Sequence, residues 1–230
     1  MLQTSAKTSH SYLRRLLVLP LIACSILIFS FSTRKDGKNE IIKADKKIVL
    51  VVDAGHGGKD AGGRFGTLIE KDLTLKIATR IKELSPGYNI EVHLTRSRDE
   101  YPTLAGRVDI SNKISPDDFI SIHIGSLPDK DTGRGNFNVF ISDGNPQLIK
   151  SKQLGLSIFR QIAAVGGIER NNLSVESKGL YVLKNNKAPA MALSLGNIKN
   201  KEQMQQITND EKLDELCGAI LRGVVAANKK

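Results

Sequence analysis

The chain has 230 residues, enough for one domain of ordinary size with a real core, plus an appended segment. Its 34 lysines and arginines against 24 acidic residues give a net charge of +10, which suits an anionic partner: nucleic acid, anionic lipid or the acidic polymer of a bacterial wall. Tryptophan is absent and aromatics make up only 5%, too few for a base-stacking surface, so nucleic acid is set aside; the two cysteines, Cys24 and Cys217, exclude a disulfide framework and lack metal-binding spacing.

Residues 16–31 (LLVLPLIACSILIFSF) are an uncharged apolar run, with Arg14 and Arg15 before it and Arg34, Lys35 and Lys38 after it. At 1.5 Å per residue the run spans about 24 Å, short of the ~20 residues of a comfortable membrane span. Residues 1–33 read first as a retained membrane anchor. A signal peptide cut after Ser30-Phe31-Ser32 is the second reading, and lipidation at Cys24, within the lipobox-like Leu21-Ile22-Ala23-Cys24, is the third. All three export the remainder to the cell envelope, while basic residues on both sides leave orientation undecided. Residues 34–46 read as a polar linker, and the folded domain is expected over 47–230.

The domain opens with residues 48–52 (IVLVV), a β-branched run that predicts a strand buried on both faces, and then breaks into the glycine-rich stretch Asp53-Ala54-Gly55-His56-Gly57-Gly58-Lys59-Asp60-Ala61-Gly62-Gly63. Over 70–84, Leu73, Ile77, Ile81 and Leu84 form one stripe of an amphipathic helix, with Glu70 and Asp72 in the first turn, where the helix dipole favours negative charge. Pro86-Gly87 ends it. A strand over 90–96, a short helix over 104–113 carrying Arg107, and a strand over 118–125 ending on His123 follow. Further strands are expected at 136–142, 179–183 and 190–195, with helices at 146–165 and 211–228. Strands alternating with helices predict an α/β domain: an open, mostly parallel or mixed six-stranded sheet with helices on both faces.

Ligands of such sheets gather at the carboxyl ends of strands, where His56 and His123 both fall. Two imidazoles and one carboxylate make a three-ligand site with an open fourth position, and Glu70, at the head of the first helix, is the carboxylate that can turn back toward His56. Taken singly, each residue also has an ordinary structural use: a histidine at a strand end is commonly a satisfied polar group, and Glu70 is a first-turn helix charge.

The motifs in order, Asp53-Ala54-Gly55-His56-Gly57-Gly58-Lys59-Asp60, Glu70-Lys71-Asp72-Leu73-Thr74-Leu75, Leu94-Thr95-Arg96, Arg107 and Ser121-Ile122-His123, resemble those of the zinc-dependent N-acetylmuramoyl-L-alanine amidases of the amidase-3 family. The resemblance implies hydrolysis of the amide between N-acetylmuramic acid and L-alanine in peptidoglycan. It also implies one zinc held by His56, Glu70 and His123, with Asp53 orienting a ligand. Residues 11–20 are also similar to the last membrane helix of β-lactam-sensing antirepressor metallopeptidases.

The chain departs from the family at one costly place. Pro189-Ala190-Met191-Ala192-Leu193-Ser194-Leu195-Gly196-Asn197-Ile198-Lys199-Asn200 sets Ser194 where the family carries its catalytic glutamate. A hydroxyl cannot hold a proton taken from water, and losing a general base typically costs ~10²–10⁴-fold. Ile124-Gly125 after the second histidine and Asn197 are smaller departures. Three accounts follow: a zinc-retaining, catalytically weakened peptidoglycan-binding or sensor domain; a substitute carboxylate, with Glu176 the nearest by topology; or reduced activity sustained by zinc alone. The short link between Ser142 and Pro146 leaves no room for the inserted regulatory helix that some family members carry.

Overall fold

A computed structural model describes residues 42–126, 137–166, 168 and 173–229. The anchor or signal segment, Cys24, the likeness at residues 11–20 and most of the linker lie outside the described residues. Among the described residues, no helix is long and apolar enough to cross a membrane.

The strands are β1 (Ile48–Ala54), β2 (Arg64–Phe65), β3 (Leu68–Ile69), β4 (Ile90–Leu94), β5 (Asp118–Gly125), β6 (Phe137–Ile141), β7 (Leu173–Ser177) and β8 (Ala190–Asn197). Six form one sheet in the order β4-β1-β5-β8-β6-β7, and β2 and β3 make a separate small hairpin. β1 lies parallel to β4 and β5, and β5 parallel to β8, whereas β6 runs antiparallel to β8 and parallel to β7. The sheet is therefore mixed, and the carboxyl ends of β1, β5 and β8 come together at one edge.

The helices are α1 (Glu70–Leu84), α2 (Leu104–Ile114), α3 (Leu148–Ile162), α4 (Tyr181–Lys184), α5 (Lys201–Thr208) and α6 (Asp210–Ala227). Side chains alternate across a strand. Leu50, Val52, Ile120, Ile122, Met191 and Leu193 accordingly join the core with Ile77, Ile158 and Ile220 of α1, α3 and α6. Val51, Phe119, Ala190 and Ala192 point the other way, into a smaller core with Val108 of α2 and Leu183 of α4. Both faces are covered, so β1 and β8 read as continuous apolar runs rather than alternating ones. Gly223 lets α6 approach α3 closely: a methyl group there would sit 2.5 Å from Ile158 Cα.

Two expectations change. Residues 179–183 are not a strand; they lead into α4, which buries Val182 and Leu183, and the sixth strand is Leu173–Ser177. A short apolar run bounded by glycine has no periodicity that separates strand from buried helix. The helix α5 also goes beyond the sequence reading. Its apolar residues Met204 and Ile207 are too few to make a stripe, but the Asn200 side chain caps it by accepting from Gln203 N.

Candidate metal centre

The site begins where β1 stops. His56 has φ +60°, a left-handed conformation sparsely populated by residues other than glycine, and Gly57 and Gly58 follow with φ of 124° and 53°. The turn closes on itself, with Gly57 N donating to Asp60 O at 2.8 Å and Asp60 N donating to Gly57 O at 3.0 Å. Two buried arginines hold it from below. Arg107 donates to Ala54 O (2.7 Å), His56 O (2.7 Å) and Asp53 Oδ1 (2.6 Å). Arg96 donates to Ala54 O (2.9 Å), Gly55 O (2.9 Å) and Lys71 O (2.8 Å), tying the loop to the first turn of α1. Carbonyls that the irregular loop leaves outside any ladder thus find charged donors, which are stronger partners than neutral ones.

Glu70 is the first residue of α1 and is buried. Its Oε2 accepts from Gly63 N (2.8 Å) and its Oε1 from Ile124 N (2.9 Å). His123 comes from β5, its imidazole edge-on to that of His56 with ring centres 4.9 Å apart. Glycines make room for these rings. A methyl group on Gly55 would sit 2.5 Å from His123 Cε1, and one on Gly62 2.6 Å from both Glu70 Oε2 and His56 Cδ2.

The result is a triangle of donor atoms. His56 Nε2 lies 3.0 Å from Glu70 Oε1, His123 Nδ1 lies 3.2 Å from that same oxygen, and the two ring nitrogens are 3.2 Å apart. The edge of a tetrahedron with metal–ligand distances of about 2.0–2.1 Å is about 3.3 Å, so a zinc-sized cation fits this donor set. Among the described residues this is the one cluster of such groups able to hold a metal ion. Its electrostatics agree. Burial pushes the Glu70 carboxyl up, but hydrogen bonds from His123, His56 and the Gly63 and Ile124 amides outweigh it and hold the group well below the usual carboxylate range. Burial pushes His56 down, but its contacts with Glu70 and Asp60 outweigh that and raise its pKa. The cluster is built to hold positive charge.

The structure brings His56, Glu70 and His123 together and sets Ser194 beside them. Ser194 on β8 is in register with His123 on β5 and is nearly buried, so the two side chains share a face. Asp53 does not touch an imidazole. It accepts from Thr95 Oγ1 (2.6 Å), Arg107 Nη1 (2.6 Å) and Ser121 Oγ (2.7 Å), and so serves the scaffold under the loop. The carboxylate against a histidine of the cluster is that of Asp60, whose Oδ2 is 2.9 Å from His56 Nδ1. Sequence reasoning passed over it, although a carboxylate four residues after the histidine in a glycine-rich turn was a signal. Glu176 is not brought to the cluster. It stands on the edge strand β7 opposite Phe140 of β6, itself opposite Ala192, and pairs with Lys178 at 3.6 Å. Two strand spacings of ~4.8 Å separate its backbone from that of β8.

Residues 50–226 match the sequence profile described as N-acetylmuramoyl-L-alanine amidase. The chain belongs to that family. Among curated relatives, the endolysin of Bacillus phage SPP1 is 30% identical over 178 residues, covering 75% of this chain and 63% of the endolysin. The probable cell wall amidase LytH of Staphylococcus saprophyticus is 32% identical, covering 82% of this chain and 61% of its own length. The chain thus spans somewhat less than two thirds of either relative. Among solved structures, the N-acetylmuramoyl-L-alanine amidase AmiC2 of Nostoc punctiforme superposes with a TM-score of 0.69 at 27% identity, covering 77% of this chain and 95% of that one. The family's α/β fold is the fold seen here.

Proposed function

We propose that this chain is an exported, zinc-dependent amidase of the cell envelope. It hydrolyses the amide between the lactyl group of N-acetylmuramic acid and the L-alanine of the peptidoglycan stem peptide. The convergence of His56 Nε2, Glu70 Oε1 and His123 Nδ1 within 3.0–3.2 Å carries this reading, together with membership of the amidase family. Residues 16–31 would carry the domain to the envelope and hold it at the membrane.

Bound in this triangle, zinc would supply Lewis acidity, lowering the pKa of water and polarising the amide carbonyl. The chain's own residues do the rest. Glu70 brings the anionic charge, His56 and His123 the neutral nitrogens, and Arg96 and Arg107 keep the loop from relaxing. Ser194 presents a hydroxyl beside His123 that can donate or accept one hydrogen bond but cannot store a proton at neutral pH.

That hydroxyl favours a second reading, a domain that holds zinc and peptidoglycan but cuts poorly. Release of new L-alanine amino termini from purified peptidoglycan, by the full chain with and without zinc, separates the two, with His56→Ala as the blank. Zinc-dependent release establishes the amidase. No release, with zinc bound and wall fragments retained, establishes the binding domain.

A further inference from the structure

We infer that Asp60 is a positioning residue that presets His56 for the metal, so that the two ligand imidazoles are prepared in different ways. The inference rests on the proposed zinc site and concerns what readies it before metal arrives.

A neutral imidazole carries its proton on one nitrogen and its lone pair on the other, and only the lone pair binds a metal. At His56 the nitrogen facing Glu70 and His123 is Nε2, so a binding-competent ring must carry its proton on Nδ1. Glu70 Oε1 stands 3.0 Å from Nε2, so before metal arrives both ring nitrogens face a carboxylate. Asp60 Oδ2, 2.9 Å from Nδ1, accepts the proton that must stay there once Nε2 gives its lone pair to a metal. With the proton on Nε2 instead, an N–H would point into the donor triangle.

The carboxylate is itself held. Its Oδ1 accepts from Gly62 N at 3.1 Å, and the backbone of Asp60 closes the bridge with Gly57. The same short turn therefore sets both the ring and its acceptor. The left-handed backbone at His56 persists only where the surroundings over-determine it. Here Arg107 fixes the His56 carbonyl and Asp60 fixes its ring.

His123 is prepared otherwise. It projects from the middle of the sheet, its ring edge lies against Gly55, and its Nδ1 faces the cluster. Among the described residues no carboxylate reaches its other nitrogen. Backbone packing orients this ring, and its tautomer is left to be chosen by the cluster.

The test uses the full chain in detergent. Asp60→Ala is expected to weaken zinc about 10–100-fold, the usual cost of removing a partner of a metal-bound histidine, measured by chelator competition. Asp60→Asn keeps an amide oxygen able to accept from Nδ1 and should recover most of that loss. Independently of any metal, ¹⁵N NMR of the zinc-free protein should show a hydrogen-bonded His56 Nδ1–H in the wild type and its loss in Asp60→Ala, where Glu70 alone holds the ring through Nε2, with His123 unchanged. Unaltered zinc affinity in Asp60→Ala overturns the inference, as does a wild-type His56 whose Nδ1 carries no hydrogen-bonded proton. If Asp60→Ala does not fold, the wild-type spectrum and Asp60→Asn still decide. If the wild type binds no zinc, the proposed function fails, and the Nδ1–H measurement alone judges Asp60.

Discussion

The carboxyl ends of β1 and β8 flank β5 at the same edge of the sheet, and they are equipped differently. Beyond β1 the chain folds into a strained turn held by two buried arginines, a buried Asp53 and a carboxylate on the His56 ring. At the end of β8 the backbone is just as well fixed, with Gly196 at φ +77° and Asn197 N donating to Gln203 Oε1 at 2.8 Å, yet the side chain beside His123 is the neutral hydroxyl of Ser194. Holding a cation and handling a proton are separate tasks, built from separate strands. In the proposed site the first task falls to His56, Glu70 and His123, and position 194, beside His123, carries a hydroxyl.

The comparison breaks first at the ligands. His56→Ala or His123→Ala should remove stoichiometric zinc altogether, a loss beyond the ~10–100-fold that a supporting residue costs; metal analysis of purified variants showing zinc unchanged would sink the assignment. Next comes the support beneath the turn. Arg107→Ala leaves Asp53 buried without its guanidinium and should cost about 3–5 kcal/mol in denaturant unfolding, because an unpaired buried charge is expensive. A cost under about 1 kcal/mol would mean that the loop does not depend on this pair.

A pH effect from the far end of β5 must be kept apart from the site. Burial, reinforced by the charge of Asp117, pushes the Asp118 carboxyl up to about 7, against the Asn228 amide that donates to it and the charge of Lys150. The folded state therefore favours the protonated acid, and its contribution is lost as pH climbs from about 4 through 7. Asp118→Asn should flatten that decline and raise stability at pH 8 by about 2–4 kcal/mol. Zinc binding should stay as it was; a parallel change in zinc affinity would show that the two ends of the sheet are coupled. The smallest expected effect sharpens the comparison most. Ser194→Glu should raise peptidoglycan hydrolysis at least ~10-fold, and no gain would place the base elsewhere.

Local pattern made much of this molecule legible. The β-branched run at 48–52 and the stripe Leu73, Ile77, Ile81 specify β1 and α1 because side-chain periodicity needs only neighbouring residues to be read. His56, Glu70 and His123 were visible for the same reason: each sits at the start or end of an element whose type the pattern gives. Residues 173–177 and 179–183 were not legible, since short runs carry no period and their fate was decided by which face of the sheet needed covering.

Which carboxylate serves which partner was beyond any local pattern. Asp53 and Asp60 both flank His56 in sequence, but β1 points Asp53 inward to Arg107, Thr95 and Ser121, while the left-handed turn swings Asp60 back onto the ring. Glu176 precedes β8 in the chain yet lies across β6 from it, because the sheet order is not the chain order. The sequence by itself determined the long, periodic elements and the residue types at their ends. Tertiary structure alone decided strand register, the φ of a single histidine and the sheet order, and through them the distances, because those depend on contacts between segments that local periodicity cannot see.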